Sequence, residues 1–147
     1  MDLSVVELVP AGPGRFTERP APDSLPSDRV TILDVYGSLL YAGSRTLQAR
    51  LPDPVGSHAP AVVLRLRGRT SIGSTFLKVA TDYAGRLAEV DGRLYLSGLD
   101  PHLTEQLRRT GRLEGPIRTF EATPLVGEST EEARQAAQAW LVKKQSG

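Results

Sequence analysis

With 147 residues, eighteen Lys and Arg against seventeen Asp and Glu, and a net charge of +1, the chain suits one domain with a hydrophobic core. That balance excludes a strongly basic nucleic-acid binder, so nucleic acid is not expected among the partners. The lack of cysteine excludes disulfides, thiolate nucleophiles and cysteine-held metals together.

The N-terminal "MDLSVVELVP" is acidic at once and soon reaches proline, unlike a signal peptide. Within it, "LSVVELV" (3–9) is valine-rich and predicts a strand ending at Pro10. Pro10, Pro13, Pro20, Pro22 and Pro26, with Gly12 and Gly14, then forbid a helix and predict an extended crossing over residues 10–29. "RVTILDV" (29–35) is β-branched and predicts a strand; "YGSLLYAG" (36–43) is expected to pivot at Gly37 into a second short strand beside it. "SRTLQARL" (44–51) predicts a short helix closed by Pro52, and "PDPVGSHAP" (52–60) a loop.

"AVVLRLR" (61–67) is almost continuously apolar and reads as a central, buried strand. "TSIGST" (70–75) leads into a helix whose stripe is Phe76, Leu77, Ala80, Tyr83, Ala84 and Leu87, at 3.6-residue spacing. "GRLYLSGL" (92–99) predicts a strand. Asp100-Pro101 starts a helix well, since aspartate accepts from free N–H groups and proline has none to waste; Gly111 suits its left-handed end. "PIRTFEAT" (116–123) predicts the last strand, and 129–144 a terminal helix with a Ser129/Glu132 capping box and a stripe of Ala133, Ala136, Ala137, Trp140 and Leu141. This order predicts an α/β fold: a mixed, mostly parallel sheet with crossover helices, an antiparallel hairpin near its start and a C-terminal helix. Residues 1–27, strand and crossing, are assigned to the same domain as the core at 28–147. No apolar stretch approaches the roughly 18 residues that cross a bilayer.

The chemistry-bearing residues are few. His58 and His102 stand apart with no carboxylate pattern nearby, so a histidine-centred metal or catalytic site is not expected, and no cofactor is implied. Strand alternation puts Arg65, Arg67 and Arg69 on one side. They read either as a solvated sheet face or as an anion site. The second reading rests on Arg67 and Arg69 standing at a strand's carboxyl end beside a helix N-terminus, where free N–H groups favour negative charge. Its candidate contacts to an anion or nucleotide are Arg67, Arg69, Thr70, Ser71, Gly73, Ser74 and Thr75. The stretch "RGRTSIGST" lacks the P-loop and G-x-G-x-x-G patterns, and Ser74 or Thr75 has neither a nucleophile elbow nor a histidine partner. An enzyme is not expected.

The segments "VTILDVYGSLLYAG", "AVVLRLRGRTSIGST", "GRLYLSGLDPHLTEQLRRTG" and "FEATPLVGESTEEARQAAQAWL", spanning about residues 28–142, resemble the STAS domain at the cytoplasmic C-terminus of SulP-type inorganic anion transporters. The resemblance implies the STAS, or anti-sigma-factor antagonist-like, fold. It also implies a non-enzymatic regulatory and assembly module on the cytoplasmic side of the plasma (inner) membrane. The membrane domain of the transporter and a second copy of the chain would be its partners, with sulfate or a related anion the transported species. Free-standing antagonists of this fold carry a D-S-[ST]-G-like loop with a phosphorylated hydroxyl. Here Gly73-Ser74-Thr75-Phe76 matches it, with Thr75 in the acceptor place, Ser74 beside it, and the aspartate and glycine replaced by Gly73 and Phe76. The alternatives are therefore such a phospho-switch, or a weak nucleotide or anion sensor.

Overall fold

The computed structural model describes residues 3–39, 43–69, 74–111 and 117–147. Six strands form one sheet: β1 (Ser4–Pro10), β2 (Phe16–Pro20), β3 (Val30–Tyr36), β4 (Ala61–Arg69), β5 (Arg93–Leu99) and β6 (Arg118–Glu121). Their order across the sheet is β2-β1-β3-β4-β5-β6. β1 runs antiparallel to both β2 and β3, while β3 through β6 are parallel. Helices α1 (Gly43–Arg50), α2 (Ser74–Ala88), α3 (Pro101–Arg109) and α4 (Glu128–Gln145) complete the α/β architecture.

Strand alternation divides the core in two. Val35, Leu64, Leu66 and Leu96 face one way, onto Leu47 of α1, Phe76 and Tyr83 of α2, and Leu103 and Leu107 of α3. Ile32, Ala61, Val63 and Tyr95 face the other way, onto Ala133, Ala137 and Leu141 of α4. Covered on both faces, β4 has no polar alternation, which explains its apolar run. A hydrogen bond from the Tyr83 hydroxyl to the Pro52 carbonyl, 2.7 Å, ties α2 to the loop after α1. Gly92, before β5, lies so close to β4 that an added Cβ would fall 2.5 Å from the Pro60 carbonyl oxygen.

Three sequence expectations need correction. The proline-rich crossing contains β2, which pairs along β1 from Val6↔Pro20 to Pro10↔Phe16. Gly12 and Gly14, at φ 120° and 68°, take the positive φ that lets Ala11 N–H donate to the Arg15 carbonyl and close the hairpin. Pro20 is tolerated because β2 is an edge strand. The antiparallel hairpin is therefore β1–β2, and not a pair made with residues 36–43. There the chain leaves the sheet at Gly37 (φ 94°), Leu39 enters the helix-covered core, and α1 begins at Gly43; residues 40–42 lie outside the described residues.

The third correction concerns α4. Its N-cap is Gly127, with no side-chain cap hydrogen bond, so Ser129 and Glu132 form no capping box. Ser129 is buried, and its Oγ accepts instead from the Gly98 backbone N–H at 3.1 Å. By contrast α3 begins as expected: Asp100 Oδ1 accepts from His102 N–H at 2.9 Å, Pro101 follows, and Gly111 is left-handed.

Candidate functional site

In parallel α/β sheets the carboxyl ends of the strands collect loops and helix starts, so function concentrates there. Here that edge holds a buried charge cluster. Asp34, late in β3, is 2% exposed although charged. Register places it beside Arg65 of β4, whose Nη1 donates to Asp34 Oδ2 at 3.0 Å. Arg67 Nη1 donates to the same oxygen at 2.9 Å. Asp34 Oδ1 is buried and has no hydrogen-bond partner among the described residues.

Arg67 is positioned by a backbone irregularity. Its φ is +59°, and the β4–β5 register shifts between Arg65 and Arg69. Such a bulge re-aims side chains at a strand end. The Arg67 guanidinium stacks over the Tyr36 ring at 4.3 Å, and the Tyr36 hydroxyl donates to Glu18 of β2. That hydrogen bond, reinforced by burial and by Asp34, pushes the Tyr36 phenol up. The cluster thus draws on β3, β4 and the edge strand β2.

Beside it lies a small cavity of about 130 Å³, lined by Arg65, Arg67, Gly98, Thr123, Val126 and Ser129. The start of α4 closes its far wall, pinned by Ser129 on Gly98 and by a 2.9 Å hydrogen bond between Ser97 Oγ and Thr130 Oγ1. Leu125 and Val126 at its rim are 65% and 81% exposed. Larger clefts exist, one of about 630 Å³ beside β2 and the end of α1. The smaller one is the better candidate because two guanidiniums and a helix start converge on it, and convergence of polar groups decides recognition more than volume. Each guanidinium commits only part of its five-donor fork to Asp34, so N–H groups remain to meet an anion or a carbonyl.

Among the expected site residues, Ser74 and Thr75 open α2 and are exposed, while Phe76 and Leu77 behind them are buried. Arg67 belongs to the cluster, but as a partner of Asp34 and not as a free cation. That corrects the solvated-face reading at Arg65, whose side chain is 17% exposed and bound to Asp34. Thr70, Ser71, Gly73 and the side chain of Arg69 lie outside the described residues. Sequence reasoning passed over Asp34, although a carboxylate amid the apolar "VTILDVY" next to an "LRLR" strand signals a buried pair.

It also passed over the surroundings of His58. The ring Nδ1 lies 3.1 Å from Asp28 Oδ1, and Nε2 lies 3.8 Å from Asp91 Oδ2, at the opposite edge of the sheet. All three side chains are well exposed, and surface pairs of this kind contribute little stability. Among the described residues no group of three or more His, Asp or Glu is arranged to hold a metal ion. No helix among them is long and apolar enough to cross a membrane. Compared with known protein families, curated proteins and solved structures, the chain gives no match.

Proposed function

We propose that the chain is a STAS-like regulatory and assembly domain that acts with the membrane domain of a SulP-type inorganic anion transporter, without covalent chemistry. The observation that carries this reading is the placement of the four resembling segments. "VTILDVY", "AVVLRLR" and "GRLYLSGL" fall on adjacent parallel strands, and "STEEARQAAQAWL" falls on the helix that covers them from behind. A sheet whose carboxyl edge carries a locked arginine pair, an exposed helix start at Ser74-Thr75 and the apolar rim of Leu125 and Val126 supports a role in contact and not in catalysis.

The test is the complete reading frame that contains this chain, together with its neighbours. An in-frame or adjacent block of about ten membrane-spanning segments is expected. Co-purification of the two parts, weakened by Leu125→Glu and Val126→Glu, would follow. A reading frame and gene neighbourhood without such segments overturns the transporter assignment.

A second reading, a free phospho-switch, is favoured by one observation: Ser74 and Thr75 are exposed at the first turn of α2. A phosphate there would add about −1.5 to −2 charges next to favourable helix N–H groups. Incubation with a cognate kinase and ATP, read by mass spectrometry, is expected under this reading to place one phosphate on Thr75. An unmodified Thr75 removes it.

A further inference from the structure

The face of the sheet covered by α4 carries a second cluster, at the end away from Asp34. Arg93 begins β5, Arg118 begins β6, and Trp140 and Lys144 lie in the last turns of α4. The Arg93 guanidinium stands over the Trp140 ring at 5.0 Å, and Lys144 Nζ lies 5.6 Å from the same ring. Arg118 covers the Phe120 ring at 5.2 Å, and Phe120 in turn meets Tyr95 with ring centroids 6.4 Å apart. Arg93, Arg118 and Lys144 make no ion pair among the described residues. Asp91, the carboxylate closest to Arg93 in sequence, is 3.8 Å from His58.

These three cations differ from the six that are paired with carboxylates. Arg19, Arg65, Arg67, Lys78, Arg86 and Arg134 are each neutralised by a carboxylate. The second cluster instead holds its charges on aromatic faces, which attract cations without cancelling their charge. A further group is left over beneath them. The Tyr95 hydroxyl is fully buried, and no group among the described residues meets it in good hydrogen-bond geometry. Burial pushes its phenol up, and the Arg93 and Arg118 guanidiniums oppose that shift.

We infer that Arg93, Arg118 and Lys144, seated on Trp140 and Phe120, form a docking surface for an anionic phospholipid bilayer. Charge complementarity argues for an anionic partner, because among the described residues no carboxylate pairs with these cations. Three features favour a bilayer over a nucleic acid or an acidic peptide. The net charge of +1 gives no extended basic track of the kind a nucleic acid follows. The cations come from three separate elements, β5, β6 and α4, and are held over rings that pack on the α4-covered side of the sheet. Trp140 is only half-buried between two cations, and tryptophan flanked by basic residues suits the headgroup layer. The inference goes beyond the transporter reading and does not need it, since the isolated chain would carry the surface.

The test is sedimentation of the intact chain with vesicles of phosphatidylcholine alone or mixed with phosphatidylserine, at low and physiological salt. Binding is expected only with phosphatidylserine and is expected to weaken as salt rises. Each basic residue near an anionic surface contributes roughly fivefold in partitioning, and reversal of its charge costs more than that. Lys144→Glu and Arg118→Glu are therefore each expected to reduce binding tenfold or more. Lys78→Glu, the same charge change on α2, is expected to leave it nearly unchanged. Circular dichroism melts verify that the variants remain folded, and Lys144→Met, which keeps an unbranched stem of similar length without the charge, serves if a reversal unfolds the protein. No binding to phosphatidylserine vesicles overturns the inference. So does an equal loss in Lys78→Glu, or binding of soluble inositol phosphate or oligonucleotide without vesicle partition. Loss of the transporter assignment with vesicle binding intact would leave the docking surface standing.

Discussion

At Asp34 the molecule takes a physical risk: a carboxylate at 2% exposure is costly unless it is paired. Two guanidiniums on one oxygen offset that cost, and removing the carboxylate would leave Arg65 unpaired at 17% exposure. Asp34→Ala is expected to cost about 3 kcal/mol in urea-induced unfolding, because breaking a buried pair strands its partner. Arg67→Ala should cost less, since its head is partly hydrated and Arg65 would still hold Asp34. The Glu131–Arg134 pair on α4, partly buried, tests a milder case. The hydrogen bond from Arg134 holds the Glu131 carboxyl below its usual 4.5, against the opposing effect of burial. A lowered folded pKa gives stability that is fully present above the unfolded value and is lost as pH falls through the folded one. The stability advantage of wild type over Glu131→Gln is therefore expected to be flat above about pH 4.5 and to shrink below it. A difference that grows toward acid would contradict the assignment.

Among the elements, α4 shows how a local motif yields to packing. Ser129 and Glu132 have capping-box spacing, yet the sheet needs an acceptor for the Gly98 N–H, and Ser129 supplies it. Gly98 at φ 75° sits where the β5–β6 register shifts, which turns its N–H out of the ladder. Ser129→Ala is expected to cost about 1–3 kcal/mol, the penalty of a buried donor left unsatisfied. Glu132→Ala is expected to be nearly silent in the same thermal melts, because Glu132 is exposed and caps nothing. A capping box would have made the two changes comparable. α3 presents the opposite case. Asp100, Pro101 and Gly111 serve as their local chemistry predicts, because no tertiary demand competes for them.

For the molecule as a whole, β1 decides what counts as the domain. It lies between β2 and β3, and it gives Val5, with Leu3 just before it, to one core and Leu8 to the other. Leu25, in the segment after β2, is buried as well. A chain shortened to begin at Asp28 would expose the edge of β3 and uncover part of both cores. Its urea unfolding transition is expected to lose cooperativity, or the shortened protein to aggregate. Retention of a wild-type transition would mean that β1 and β2 are dispensable.

By itself, the sequence determined the elements whose signals are local and mutually consistent. The β-branched run of β3, the apolar run of β4, the 3.6-residue stripe of α2 and the Asp-Pro start of α3 each needed only short-range chemistry. From these followed the α/β class and the parallel succession of strands. Tertiary structure decided the rest, for reasons of pairing across long separations. Phe16–Pro20 becomes a strand because β1 offers it a partner, and a proline-rich segment does not advertise that. Asp34 meets Arg65 and Arg67 thirty-one and thirty-three residues away through the β3–β4 register, which no spacing rule encodes. Ser129 turns from cap to anchor because a buried N–H on another element has no other acceptor among its described contacts. Local preference is worth a few tenths to about one kcal/mol, whereas an unpaired buried charge or donor costs more, and at each of these positions the stronger demand prevailed.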